Sequence, residues 1–166
     1  MDYDALRRDE LVSISDFLHG LSVEDWDHAS LCRAWRVRDV VSHMCLGYLT
    51  PMRSMIGKVA RRGFNVPKAS FEESIAFADA HTPDEILAAF DRIHRDNVRN
   101  GIAKVIPPSE GLVDHLIHHQ DMRRPLGRPR PMPTDRLLAA LGLVPGLGGF
   151  VGAKKRVAGL RLVATD

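Results

Sequence analysis

The apolar positions of this chain recur with a helical period along most of its length. Between Asp4 and Leu18, the residues Leu6, Leu11, Ile14, Phe17 and Leu18 fall mostly on one face, and Gly20 supplies a natural stop. Ser22-Val23-Glu24-Asp25 reads as a short capped turn, and a loop runs from His28 to Trp35. A second long helix is predicted from about Val37 to Met52 or beyond. At about 100° per residue its Val37, Val40, Val41, Met44, Cys45 and Tyr48 share one broad apolar arc. Pro51 marks a kink or a new segment, and Arg61–Ser70, with Gly63, Asn65 and Pro67, reads as loop.

Thr82-Pro83-Asp84-Glu85 combines a cap, a proline at the first helical position and a capping-box glutamate. The helix it opens carries Ile86, Leu87, Phe90, Ile93 and Val98 and stops near Asn100-Gly101. After Pro107 and Pro108, Ser109 is the expected cap of a helix from Glu110 to about Arg124, with an apolar stripe of Leu112, Leu116 and Ile117. The segment 124–133, with four prolines, is extended loop, and Thr134-Asp135 opens a further helix through about Leu143. The tail differs: GLGGFVGAKK is glycine-rich, and RVAGLRLVATD alternates like a short β-strand. The expected fold is therefore all-α with a short C-terminal strand. Residues 1–147 form the helical bundle, and 148–166 form a linker and the start of a further part.

Composition narrows the function without choosing it. A length of 166 residues suits one domain, and 45% hydrophobic with 27% charged residues excludes a disordered chain. A net charge of +2 does not nominate nucleic acid as a partner. The local basic runs, Lys58–Arg62, Arg123–Arg130 and Lys154–Arg161, read as solvated faces or loops. Two cysteines without framework spacing fit a reducing compartment; no apolar run is long enough for a membrane span, and the N-terminus is unlike a signal peptide. The expected location is the cytoplasm. An unlocated apolar face would allow a homodimer.

The candidate chemistry lies in histidines. His43 sits at about 240° on the second helix, at the edge of the apolar arc, with Asp39 one turn earlier. It is either aimed into the bundle or a boundary histidine donating to Asp39. Residues 114–121, DHLIHHQD, hold three histidines and two aspartates. Asp114 and His118 are four apart and share a face, a spacing that suits a divalent ion such as zinc. His115 and His119 have the same spacing, and periodicity does not choose between the pairs. A histidine cluster that is purely structural is the third reading.

The stretch from Leu31 to His43, LCRAWRVRDVVSH, resembles the tryptophan-to-histidine motif of the mycothiol-dependent maleylpyruvate isomerase family, within the DinB-like superfamily. Asp114–Gly127, DHLIHHQDMRRPLG, is similar to that family's second motif, in which a carboxylate, a histidine and an aspartate recur. The resemblance implies a four-helix bundle and a metal, usually zinc, held by His43, Asp114 and His118. It implies an open coordination position, with mycothiol as thiol cosubstrate and a small electrophile as substrate. Asp121 would be an outer-shell or helix-stabilising group, because one helix face cannot aim four heads at one ion, and Asp39, one turn before His43, is the expected outer-shell partner of that ring. From their position beside this motif, Arg123 and Arg124, with Arg128, are candidates to bind a carboxylate substrate, the alternative being a solvated loop. The family's carboxylate is commonly glutamate, so Asp114 is one methylene short. Complete members often add a smaller C-terminal α/β part, and RVAGLRLVATD resembles its opening. The implied activity is thiol transfer or isomerisation; the alternative is a non-catalytic metal-binding module in regulation or protein association.

Overall fold

A computed structural model describes residues 1–143, 153–161 and 163. Four long helices close a ring: α1 (Tyr3–His19) packs on α7 (Pro108–Arg123) and α6 (Pro83–Arg95), and α3 (Val37–Leu49) packs on α6 and α7. This is a helical bundle. Short α2 (Val23–Asp27) leads into α3, α4 (Met52–Ala60) follows it, and α5 (Val66–Ala80) lies across α3. A 3₁₀ turn (Gly101–Lys104) precedes α7, and α8 (Thr134–Leu143) packs on α7.

The predicted faces make the core. Leu11, Ile14, Phe17 and Leu18 of α1 meet all six residues of the α3 arc, Ile86, Phe90 and Ile93 of α6, and Met122 of α7. Leu6, expected in the same α1 face, joins a smaller cluster in which Leu112, Val113 and Leu116 pack on Ala139 and Ala140 of α8. Ile117, expected in the α7 stripe, is exposed.

Several local expectations are corrected. Helix α3 ends at Leu49 and Pro51 starts α4, so the proline separates two helices. Residues 66–70, expected as loop, are the first turn of α5, capped by the Asn65 side chain and entered through Pro67. No apolar stripe announces α5, because its buried positions are the small residues Ala69, Ser74 and Ala78. Helix α6 stops at Arg95, ahead of Val98; Asn97 takes a left-handed φ of 46° that breaks the helix. Gly101 is required where it stands: its φ is +53°, and a Cβ there would lie 2.1 Å from the Thr50 carbonyl oxygen. Helix α7 starts on Pro108 in its first turn with no capping side chain from Ser109. Arg156 and Val157, expected in a strand, lie in a short helix α9 (Ala153–Val157). A single strand has nothing to ladder with, and no strand occurs among the described residues. The remainder of the expected linker and strand, at 148–152, 162 and 164–166, lies outside the described residues.

One buried charge ties the bundle together. Glu10 of α1 is fully buried, yet three cationic or donor groups converge on it. His119 Nδ1 of α7 lies 2.7 Å from Oε1, Arg136 of α8 lies 2.6 Å from Oε2, and Arg130 of the preceding loop also contacts Oε1. Arg130 also donates to Ser13 Oγ at 3.1 Å. Arg123 Nε donates to His119 Nε2 at 2.7 Å, and its guanidinium covers the Phe17 ring. The accepted bond at Nε2 makes His119 a neutral ring that donates to Glu10 from Nδ1. Two arginines of the basic run expected to be solvated, Arg123 and Arg130, are thus turned inward by a buried carboxylate.

Desolvation alone would raise the Glu10 carboxyl, but the bonds from His119, Arg130 and Arg136 hold it down at about 2, against an ordinary 4.5. The folded carboxyl is therefore the stronger acid. Its stabilisation is complete above about 4.5 and is lost as pH falls towards 2. Acid unfolding of the wild type is expected to steepen across that window, and Glu10→Gln should flatten it. Glu10→Ala strands two partly buried arginines and should lower stability by about 3–5 kcal/mol, read from chemical denaturation.

Candidate metal centre

The site sits where α3, α5, α7 and the loop before α3 meet. A buried capping box starts α3: Asp39 accepts from the Arg36 backbone N–H at 2.7 Å and from its guanidinium at 2.9 and 2.8 Å. The same guanidinium reaches Asp79 near the end of α5 at 2.6 Å, which ties α5 to α3. Asp39 therefore spends its carboxylate on Arg36, and the partner of His43 comes from elsewhere. It is Ser70 of α5, whose hydroxyl lies 3.0 Å from His43 Nδ1. Trp35 lies against the His43 ring at 5.2 Å and stacks on Phe71 at 5.9 Å. Together they form an apolar wall beside the histidine.

Helix α7 divides its polar residues between two faces. Asp114, His118 and Asp121 face α3 and the loop. The His43 and His118 rings meet edge-on with centroids 5.2 Å apart. His118 Nε2 lies 3.5 Å from Asp114 Oδ1, and His118 Nδ1 lies 3.2 Å from Asp121 Oδ2. His43, Asp114 and His118 each offer one ligand atom, and all three atoms lie within 4.8 Å of one another. Asp114 keeps 50% of its side-chain surface exposed, so the group opens to solvent on that side.

The other face turns inward. His115 is buried with Nε2 3.1 Å from the Tyr48 hydroxyl, which also accepts from Arg7 at 2.9 Å. His119 belongs to Glu10. These two histidines have separate protein partners, and among the described residues they join no group of metal-ligand geometry. Arg123, expected to bind substrate, is four residues past His119, not His118, and shares that inward face. Arg124 is exposed and donates to Gln120 at 3.4 Å.

The donor set fits a divalent cation. Each imidazole has its Nδ1 engaged, by Ser70 or by Asp121, which orients the ring, and His118 Nε2 faces Asp114. Charge within the group is polarised. Burial pushes His43 down to about 4, aided by His118 and opposed by Asp114. For His118, burial acts downward, but Asp114 and the bonds to Asp114, Asp121 and Cys32 carry it well above 6.5. Desolvation would raise Asp114, but His118 and His43 hold it below the carboxylate range.

Sequence reasoning missed two participants. Ser70 lay in a stretch read as loop. Cys32 has its sulfur 3.7 Å from His118 Nδ1 and 3.2 Å from Asp121 Oδ2. These contacts span 86 and 89 residues, so no local spacing could signal them.

A family model described as the mycothiol maleylpyruvate isomerase N-terminal domain matches residues 7–100. The match covers His43 and stops short of Asp114 and His118. No curated protein and no solved structure matches the chain.

In protein stripped of metal, the His43 ring is expected to stay neutral down to about pH 4. His118 should carry a proton well above pH 6.5. Ring-resonance titration by NMR checks both, and a common pKa for the two rings would contradict the polarised arrangement.

Proposed function

The chain belongs to the mycothiol maleylpyruvate isomerase N-terminal domain family, and from that premise we propose a divalent-metal-dependent enzyme that uses mycothiol. His43, Asp114 and His118 are the ligands, zinc is the cation, and the reaction is thiol transfer to a small electrophile or thiol-assisted isomerisation. The observation that supports this reading is that His43, Asp114 and His118 each bring a ligand atom within 4.8 Å of the others, while Ser70 and Asp121 engage Nδ1 of the two rings. Held by one carboxylate and two neutral imidazoles, the cation would keep a net positive charge and supply the Lewis acidity that lowers the pKa of a thiol or water.

The protein's own residues do the rest. Asp114 leaves the group open on its solvent side, where a thiol and its partner can enter. Trp35 and Phe71 exclude water from the His43 side and present an apolar surface to the electrophile. Ser70 and Asp121 hold the two rings in one tautomer and one orientation. Asp114 is shorter than the family's usual glutamate, and its i, i+4 position still brings it to His118.

A second reading, a non-catalytic metal-binding module, is favoured by one observation. Arg123 and Arg124 have other contacts, so neither of the arginines expected to bind a carboxylate substrate reaches the centre. As to the surroundings, no helix among the described residues is long and apolar enough to cross a membrane. The proposed partners are mycothiol and a small electrophile, in the cytoplasm, with no role for nucleic acid.

Metal analysis of protein purified without a histidine tag should give about one zinc-like ion per chain. His43→Ala and His118→Ala should each abolish it, and full retention in the His118 variant would rule out this ligand set. Ser70→Ala should keep the ion with affinity reduced about 10–100-fold. Binding must expel the His118 proton, so affinity should rise with pH until that group has titrated. With metal loaded, mycothiol-dependent turnover separates the enzyme from the module.

A further inference from the structure

His118 faces a second set of donors on the opposite edge of its ring. Cys32 Sγ, His118 Nδ1 and Asp121 Oδ2 form a further group with metal-ligand geometry. Their separations are 3.7 Å from sulfur to nitrogen, 3.2 Å from sulfur to carboxylate and 3.2 Å from nitrogen to carboxylate. Bonds of about 2.0–2.3 Å at tetrahedral angles place ligand atoms roughly 3.3–3.7 Å apart, so the three donors already span a site of that size.

The thiol is held in place. Ser30 Oγ accepts from the Cys32 N–H at 3.1 Å and donates to the Trp35 carbonyl at 2.8 Å. The Trp35 N–H returns to the Cys32 carbonyl at 3.0 Å, and Leu31 N–H donates to the Asp121 carbonyl at 3.0 Å. Ala34 closes this turn at a left-handed φ of 63°, a conformation that non-glycine residues rarely adopt. The loop is thus pinned to the end of α7 with its sulfur toward Asp121. Cys32 is partly buried, whereas Cys45 is fully buried and its thiol is pushed up by burial.

The geometry points to a thiophilic-cation site made of Cys32, His118 and Asp121, distinct from the group of His43 and Asp114 and sharing only the His118 ring with it. A thiolate, a carboxylate and a neutral imidazole balance a divalent ion and suit a soft or borderline one such as Cd²⁺. On binding, the Cys32 thiol gives its proton to solvent. His118 gives its Nδ1 proton to solvent and keeps the one on Nε2, where Asp114 Oδ1, 3.5 Å away, is the nearby acceptor. A neutral imidazole has one lone pair, so an ion on Nδ1 and an ion on Nε2 exclude one another. That exclusion rests on the proposed function; the thiophilic site does not.

The test is a Cd²⁺ titration of the full chain, stripped of metal and reduced, followed by thiolate-to-cadmium absorption in the ultraviolet. Wild type should develop the band and saturate at one equivalent. Cys32→Ser should lose it, and His43→Ala, which removes a donor of the other group only, should keep it. Cadmium NMR of the wild type gives a readout that depends on no variant, with a shift in the range for one sulfur ligand expected. A band that persists in Cys32→Ser, a shift typical of nitrogen and oxygen alone, or loss of the band in His43→Ala would each overturn the site. Failure of zinc to depend on His43 would defeat the proposed function and leave this one standing.

Discussion

The buried Glu10 carboxylate sets the geometry of everything around it. A charge with no access to water is tolerated only where opposite charge and hydrogen bonds surround it, and here they come from α7, α8 and the loop between them. His119 therefore has one acceptable direction, which fixes the roll of α7 about its own axis. One position back along the helix, about 100° away, is His118. The bond to Glu10 thus aims His118 at His43 across the bundle, although neither Glu10 nor His119 touches the candidate centre. Shape comes from the apolar core, and rotational register comes from the ion pair.

Much of the fold could be read from the chain because its long helices obey a strict period. The α3 arc and the Thr82 capping box are local features, and locality is what sequence patterns report. Helix α5 escaped because it approaches α3 with Ala69, Ser74 and Ala78, which allow close packing without a hydrophobic stripe. The Arg123–Arg130 run misled for a related reason. Composition sees four arginines in a proline-rich loop and expects water, but a single carboxylate 113 or more positions earlier turns two of them inward.

The candidate site was legible in part. Spacing nominated two histidine pairs on α7 equally, and the resemblance to a family favoured one. The structure supplies the physical reason the two differ: Tyr48 and Glu10 engage His115 and His119, while His118 faces His43 and Asp114. The supporting residues Ser70 and Cys32 were invisible, since they meet their histidines only after α5 and the Trp35 loop have folded against α3 and α7. Asp39 illustrates the converse error. One helical turn from His43 looked like a partnership, but an aspartate in the first turn of a helix serves the cap first.

The closure of the ring by its last long helix has a consequence for how such a domain can be divided. The family model matches residues 7–100, yet α7 begins at Pro108. An excised segment ending at the boundary of that likeness would retain one of the three donors, expose the apolar faces of α1 and α3 and leave Glu10 without its counter-charges. The recognisable stretch and the smallest self-sufficient unit are therefore different objects.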